Sequence, residues 1–336
     1  MRSSRMCCTK RYPVEAIPQE KVVPMKKKRP KQTRYLENLI FRGEFHFQRL
    51  SVMGIDNEAV ARIFSPAILR EEYCLFANVI PDGDGYFRML HERLTAALEK
   101  RQPLPVVRFA DGEYAFYRGS LGCNGLYKQA QSVEAIEKAM PMHLDAMTRL
   151  ANHGLLAPLI FPGNSQASAS SRFFFRKQKR DSTAAVFLDF LRDHGIGLTA
   201  ENYVPFYAVY AYLSSPVFAA AMDGRKVCIL NSDCNEASCR SWFARQNSAP
   251  ELKFVDIPKE YAATRWEEYR KPVLDGIPAG TELCIVGAGV GALLICEDVS
   301  RALCVPAIDA GHVLNMMNDR VDKSNGARLY TLRKTP

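Results

Sequence analysis

The amino-acid sequence predicts an α/β protein built on a mainly parallel sheet flanked by helices. Short apolar segments alternate with segments of helical periodicity through the second half of the chain. A glycine-rich turn follows one of these segments, and a break at Pro105 separates a helical face from another apolar segment. Strands that alternate with helices at this spacing are joined by crossovers and therefore lie parallel. The predicted architecture is Rossmann-like.

The second half of the chain carries the clearest alternation. Each apolar segment is short, and polar or glycine residues end it, which favours buried strands. The predicted strands cover residues 226–231, 252–257, 283–286 and 305–309. The predicted helices between them cover residues 234–246, 261–274 and 292–303.

The first half of this domain begins with a predicted helix and a predicted strand. Apolar residues recur at helical spacing over residues 86–101, and β-branched and aromatic side chains at 106–109 predict a buried strand. The next helix is expected to begin at Ser132 and to end near Gly154. In the strand that follows, Pro158 indicates a sheet edge or a bulge.

A polar loop after this strand contains Asn164, a candidate substrate-binding residue. Residues 172–180 then combine five cations with three phenylalanines. One interpretation is an anion-binding patch for a phosphorylated ligand. The alternative, which we favour, is an amphipathic helix with a buried Phe stripe and solvated cations.

The net charge of +9 is concentrated in residues 1–34, which hold eleven Lys or Arg and two Glu. The rest of the chain is electrically balanced and does not indicate nucleic-acid binding. Four prolines and few aromatic residues predict that residues 1–34 are a disordered basic leader. Its lysine-rich run at 26–31 has three interpretations: a solvated leader, a contact with an anionic surface or membrane, or a nuclear address.

Residues 35–85 predict a mostly helical extension, and residues 86–336 form the predicted main domain. Hydrophobic residues make up 47% of the 336 residues and charged residues 24%, as in ordinary globular proteins. No apolar run is long enough for a transmembrane helix, and none follows the first basic residues as in a secretory signal. Ten cysteines are too dilute for a disulfide scaffold, so we expect reduced thiols and a cytoplasmic protein.

Two carboxylates separated by one glycine follow the strand predicted at 106–109. If the chain stays extended through Gly112, Asp111 and Glu113 project to the same side. Gly112 leaves the backbone open to a ligand. Such a pair suits Mg²⁺ or Mn²⁺, which prefer carboxylate and phosphate oxygens. The alternative interpretation is an Asp-Gly turn beside a solvated Glu113.

The glycine-rich turn supports a competing function. Gly287, Gly289 and Ala292 satisfy the G-x-G-x-x-A pattern of dinucleotide-binding turns, and Asp309 lies where a ribose partner is expected. The turn therefore favours, as an alternative, an S-adenosylmethionine-dependent methyltransferase or an NAD-dependent oxidoreductase. That alternative leaves the two carboxylates without a role. A further interpretation is that these glycines only let helix and strand pack closely.

Two segments together resemble a known family. The sequence Arg-Phe-Ala-Asp-Gly-Glu at 108–113 resembles the R-F-G-D-G-E segment of the GT-D-type glycosyltransferases. Residues 283–291 and 307–312 are similar to that family's closing strand, glycine-bearing turn and D-x-G-H segment. The resemblance spans about residues 86–318, and Ala110 stands where the family has glycine. It implies a Rossmann-like fold, a nucleotide-sugar donor and a D-x-E pair that holds a divalent metal on the donor diphosphate.

This resemblance implies that Asp111 and Glu113 are ligands of Mn²⁺ or Mg²⁺. The expected donor is a UDP-sugar, and the expected acceptor is a hydroxyl of a glycan or glycoprotein. A metal that bridges two phosphate oxygens stabilises the charge that develops on the leaving nucleotide.

The remaining predicted site residues follow from this chemistry. Arg108 is expected to supply further positive charge if it faces the site, and the alternative is that this strand residue faces away. Asp309 or His312, just past the carboxyl end of a strand, is the candidate base for the acceptor hydroxyl. The alternative for His312 is a histidine that only ends a strand or caps a helix. The candidate substrate-binding glycines are Gly112, Gly287 and Gly289.

Overall fold

Six strands form one all-parallel sheet. Numbered along the chain with the bounds given at the end of this paragraph, they lie in the order β4-β3-β8-β7-β5-β6. The computed structural model describes residues 48–50, 73–76, 85–123, 126–159, 184–199, 201–213 and 215–318. The α/β class with a mainly parallel sheet is therefore confirmed. The strands are β1 (Gln48–Leu50), β2 (Tyr73–Phe76), β3 (Leu104–Phe109), β4 (Leu155–Pro158), β5 (Lys226–Asn231), β6 (Glu251–Val255), β7 (Leu283–Gly287) and β8 (Pro306–Asp309).

Helices cover both faces of this sheet. Within the described ranges, no helix has both the length and the apolar composition that crossing a membrane requires. The helices are α1 (Gly85–Lys100), α2 (Asp111–Tyr117), α3 (Tyr127–Ala130), α4 (Val133–His153), α5 (Ala184–Asp193), α6 (Phe206–Leu213), α7 (Pro216–Met222), α8 (Glu236–Ala244), α9 (Trp266–Gly276), α10 (Ala292–Leu303) and α11 (His312–Met317).

Each face of the sheet has its own apolar core because strand side chains alternate between the two faces. Val107 and Phe109 of β3 pack on the first face with α2, α4 and α10. Val106 packs on the second face with α1, α6 and α11. Every residue of β3 is buried, so this strand is covered on both sides.

Local signals in the sequence placed several element ends correctly. The Ser132 side chain accepts a hydrogen bond from the Ala135 N–H and caps α4, and Gly154 ends that helix. Pro158 lies in β4, which is an edge strand of the sheet, as predicted. An edge strand tolerates proline because one side of its backbone needs no ladder hydrogen bond.

Other predictions differ from the structure. The helix predicted from residue 261 begins at Trp266, because Tyr261 adopts a left-handed backbone with φ of 60°. In the segment predicted as a mostly helical extension, the described residues are the antiparallel strands β1 and β2. Helices α5, α6 and α7 were not predicted, and the octet of α6 is apolar or aromatic throughout, without helical periodicity. The basic leader and residues 172–180 lie outside the described residues.

Candidate functional site

The carboxyl ends of β3 and β8 lie side by side in the sheet. The chain leaves β3 into α2 on the first face and leaves β8 into α11 on the second face. In open parallel sheets, ligands bind beyond the carboxyl ends of two neighbouring strands whose connections run to opposite faces of the sheet. We call this place the β3/β8 crevice, and residues 110–113 and 310–312 border it. These two turns bring the segments of Asp111, Glu113, Asp309 and His312 together.

The carboxylate pair lies on a helix and not on an extended strand. β3 ends at Phe109 and α2 begins at Asp111, so the chain is not extended through Gly112. A helix turns about 100° per residue, so residues two apart leave the axis on nearly opposite sides. The expected projection of Asp111 and Glu113 to one side of a strand is therefore wrong. The physical reason is that acidic side chains stabilise the first turn of a helix.

Glu113 is half-buried and turns back towards the start of α2. Its Oε2 accepts a hydrogen bond from the Ala110 N–H at 2.8 Å. Burial raises the pKa of the Glu113 carboxyl to about 7, although the hydrogen bond from Ala110 lowers it, and the neighbouring Asp309 carboxylate adds to the rise. A cation beside Glu113 would therefore favour its ionised form.

Asp111 is exposed at the first position of α2. The Cys123 thiol donates a weak hydrogen bond to its Oδ2 at 3.6 Å. Among the described residues, no three His, Cys, Asp or Glu side chains come together as a metal site. Mg²⁺ commonly takes only one or two carboxylates from a protein and completes its shell with phosphate oxygens and water. A cation at Asp111 and Glu113 would therefore have to take most of its ligands from phosphate and water.

Arg108 and Asp309 form a buried ion pair across the crevice. Their exposed fractions are 6% and 3%. Arg108 Nη2 donates to Asp309 Oδ1 at 2.9 Å, and Nε donates to the Asp309 carbonyl oxygen at 2.8 Å. Burial would lower the pKa of the guanidinium, but the Asp309 carboxylate more than offsets this and raises it. A carboxylate bound to a permanent cation is a weak base, and Arg108 is directed at Asp309 and at α6.

Side chains of this chain fill the space around the glycine-rich turn. The N–H of Val290 donates to Gln129 Oε1 at 2.6 Å. A Cβ atom at Gly289, which has φ of +53°, would lie 2.3 Å from that same oxygen. A Cβ at Gly291 would lie 2.9 Å from Ala262 Cβ, and one at Gly287 would lie within 2.7 Å of two side chains. This geometry matches the interpretation in which the glycines allow close packing.

Two predicted residues have positions that the structure leaves partly or wholly undescribed. Asn164 lies outside the described residues. The backbone of His312 begins α11, directly after the turn that follows β8, and nothing is described of its side chain.

Four residues of this region were missed from the sequence. Phe206 and Tyr210 of α6 place their ring centroids 5.0 and 4.4 Å from the Arg108 guanidinium carbon. Their only signal was a spacing of four residues, which puts both rings on one side of a helix. Gln129 carried no signal, and Gly311 was noted only as the glycine of the D-x-G-H segment, without a role of its own.

A cavity of about 420 Å³ lies away from the crevice, beside the amino end of β4. It is bordered by Arg93, Asn152, residues 194–197, Thr199, Glu201 and Asn202, among others. None of the predicted site residues lines it, so it does not bear on their role.

Comparisons with protein-family models, with curated proteins and with solved structures found no match to this chain. The fold is therefore described from its strand order, and the candidate site from its geometry.

Proposed function

We propose that this chain is a metal-dependent glycosyltransferase that uses a nucleoside-diphosphate sugar. The observation that carries the proposal is the position of Asp111 and Glu113 at the head of α2, where β3 and β8 diverge. Ligands of open parallel sheets collect at such a place. The resemblance to the GT-D-type glycosyltransferases concerns the same two turns. A UDP-sugar donor and a hydroxyl of a glycan or glycoprotein as acceptor follow from that resemblance.

Asp111 and Glu113 would hold Mn²⁺ or Mg²⁺ on the donor diphosphate if both side chains turned towards the head of α2, as Glu113 does where its Oε2 binds the Ala110 N–H. Asp111 is exposed, so its carboxylate is accessible to a cation from solvent. Glu113 uses Oε2 to cap Ala110 and has a second carboxylate oxygen. The bound cation would supply positive charge to the leaving diphosphate. Because it would take its other ligands from phosphate and water, affinity for the cation should be higher with the nucleotide present.

The base that accepts the proton of the acceptor hydroxyl is best assigned to His312. Both oxygens of Asp309 already accept hydrogen bonds, Oδ1 from Arg108 and Gly311 and Oδ2 from the Arg108 backbone N–H. His312 is the remaining titratable residue of the 310–312 turn. Imidazole is suited to this step because it changes its charge near neutral pH.

A methyltransferase or oxidoreductase built on the glycine-rich turn is less well supported. In those enzymes, backbone N–H groups of the turn approach the ligand, and an acidic residue binds the ribose. Here the Val290 N–H is already bound to Gln129. Asp309, the predicted ribose partner, is buried and paired with Arg108.

We also assign the reaction to the cytoplasm. The seven cysteines whose side chains the structure describes are free thiols, and six of them are partly or wholly buried: Cys123, Cys228, Cys234, Cys239, Cys284 and Cys296. Reduced thiols are typical of that compartment.

Titration of UDP by calorimetry, with and without Mn²⁺, tests the proposal. Wild-type protein should bind UDP in the presence of Mn²⁺ and lose most of the affinity on chelation. Asp111→Asn should weaken binding at least tenfold, because the substitution removes a charged ligand. Asp275→Asn, at an exposed surface ion pair with Lys271, is the matched control and should bind like wild type. Metal-independent binding of UDP, equal in wild type and Asp111→Asn, would overturn the assignment.

A further inference from the structure

Side-chain hydrogen bonds replace the backbone ladder where β3 and β8 diverge. Paired residues of these two strands end with Val106 and Ile308. Beyond this pair, the Arg108 backbone N–H donates to Asp309 Oδ2 at 3.3 Å, and the Arg108 side chain binds both Oδ1 and the backbone carbonyl of Asp309. We call this set of contacts the Arg108–Asp309 clamp. It joins the two strand ends from which the borders of the β3/β8 crevice begin.

The guanidinium is packed between the rings of α6 and the backbone of the 310–312 turn. The rings of Phe206 and Tyr210 lie beside it at 5.0 and 4.4 Å. Just after β8, the Gly311 N–H donates to Asp309 Oδ1 at 3.0 Å, and Gly311 has φ of +44°. A Cβ atom at Gly311 would lie 1.8 Å from Arg108 Nη2. The backbone of the 310–312 turn therefore rests directly on the Arg108 side chain.

The clamp acts on both borders of the crevice at once. Ala110, whose N–H is capped by Glu113, is two residues after Arg108. His312 is three residues after Asp309. A shift of the guanidinium would change the separation between the carboxylate-bearing turn and the turn that carries His312.

Stability alone does not account for a buried ion pair at this place. Well-packed apolar residues of similar volume are often as stabilising as a buried pair, because desolvation of the two charges offsets their attraction. A geometric role is the alternative, since a guanidinium fork fixes distance and direction.

We propose that Arg108 and Asp309 are positioning residues that set the spacing of the two turns, rather than a catalytic cation and a base. The inference rests on the proposed function for its consequence, which is binding of the metal and nucleotide between correctly spaced turns. Its structural part concerns only how firmly the backbone is held at residues 110–113 and 310–312.

Two variants disturb the clamp while the buried charges remain. Arg108→Lys keeps the positive charge and loses the fork. Gly311→Ala keeps every charged group and drives a methyl group onto Nη2. Gly224→Ala is the matched control for the second variant, since Gly224 has φ of +69° and open space around its Cβ position.

The control for Arg108→Lys is Arg225→Lys. Arg225 Nη1 binds Glu282 Oε1 at 2.8 Å just before β5 and β7 begin, so it also joins neighbouring strands. That pair lies at the amino ends of the strands, whereas the crevice lies at the carboxyl ends, and it is partly exposed.

Hydrogen exchange of the full-length variants tests the structural part. Amides at 110–113 and 310–312 should exchange at least tenfold faster in both clamp variants than in the wild type and the controls. Amides of α4 should keep their wild-type rates, which separates a local effect from global destabilisation. Unchanged exchange at the two turns would overturn the inference.

Calorimetry with UDP and Mn²⁺ tests the consequence. The dissociation constant of UDP should rise at least tenfold in both clamp variants and stay within twofold of wild type in the controls. Faster exchange with unchanged UDP affinity would overturn the positioning role. If wild type itself does not bind UDP with Mn²⁺, the proposed function fails, while the exchange experiment still decides whether the clamp orders the two turns.

Discussion

Acidification should destabilise the protein through His143, a fully buried residue of α4. Its Nε2 lies 2.7 Å from the Ala263 carbonyl oxygen, which can only accept, so Nε2 carries the proton. Nδ1 is then the acceptor for the Tyr117 hydroxyl at 3.1 Å. Burial lowers the pKa of the imidazole from 6.5 to about 4, so the folded state favours the neutral ring.

The sign of the effect follows from proton binding in the two states. The unfolded chain protonates His143 below about pH 6.5, and the folded chain does so only below about pH 4. The stability contributed by the neutral ring is present above pH 6.5 and is lost as the pH falls through this window. One pKa unit corresponds to about 1.4 kcal/mol, so the loss between pH 7 and pH 5 should be about 2 kcal/mol.

Urea unfolding of wild type and of His143→Gln at pH 7 and pH 5 measures this loss. Two carboxyl groups oppose it, because burial raises the pKa of Glu113 and of Glu297 to about 7 and the folded state binds their protons more tightly. The difference between wild type and His143→Gln cancels that contribution. The control is His153→Gln, at an exposed position of the same helix. Between pH 7 and pH 5 it should lose as much free energy of unfolding as wild type. Equal pH dependence of wild type and His143→Gln would refute the reasoning.

Two further substitutions, Asp309→Asn and Gln129→Ala, test buried contacts, and Glu282→Gln is the control for the first. Asp309→Asn should lower the free energy of unfolding in urea by about 3 kcal/mol, because the Arg108 charge stays buried without its partner. Glu282→Gln in a partly exposed ion pair should cost less than about 1 kcal/mol, and equal losses in the two variants would contradict the argument. Gln129→Ala should cost about 1 kcal/mol, since the Val290 N–H loses its acceptor, and calorimetry should show no binding of NAD or S-adenosylmethionine. A variant that bound either cofactor would restore the dinucleotide interpretation.

The sheet could be predicted because its signals are local and repeated. Each strand is a short apolar segment, and each crossover helix has its own beginning and end. Ser132 and Gly154 act on backbone groups within a few residues of themselves, so the sequence around them suffices. The strand order is different in kind, because nothing within β3 determines that its neighbours are β4 and β8.

The start of α2 shows where local signals compete. Gly112 disfavours a helix by about 1 kcal/mol, and the preceding apolar residues favour a strand. Asp111 and Glu113 stabilise the first helical turn, and Glu113 also binds the Ala110 N–H. The helix wins, although the same two carboxylates were the basis for predicting an extended segment. The sequence contained only half of a capping box, because Ala110 at the N-cap has no side-chain oxygen and only Glu113 can bind back.

The clamp could not be predicted by any local argument. Arg108 and Asp309 are separated by 201 residues, and their contact depends on the placement of β8 beside β3. The chemistry of each residue alone suggested a function as cation and as base. Only the three-dimensional structure shows that each satisfies the other.

The charge of the crevice limits what can bind there. Arg108 and Asp309 neutralise each other, so the charge of the two turns comes from the remaining side chains. The turns 110–113 and 310–312 contain the carboxylates of Asp111 and Glu113 and neither lysine nor arginine. A diphosphate brought to these turns alone would be repelled by the Asp111 carboxylate and by the ionised fraction of Glu113, whose pKa burial raises to about 7. A divalent cation between carboxylate and phosphate would reverse the sign of that interaction, so the proposed nucleotide binding should depend on metal.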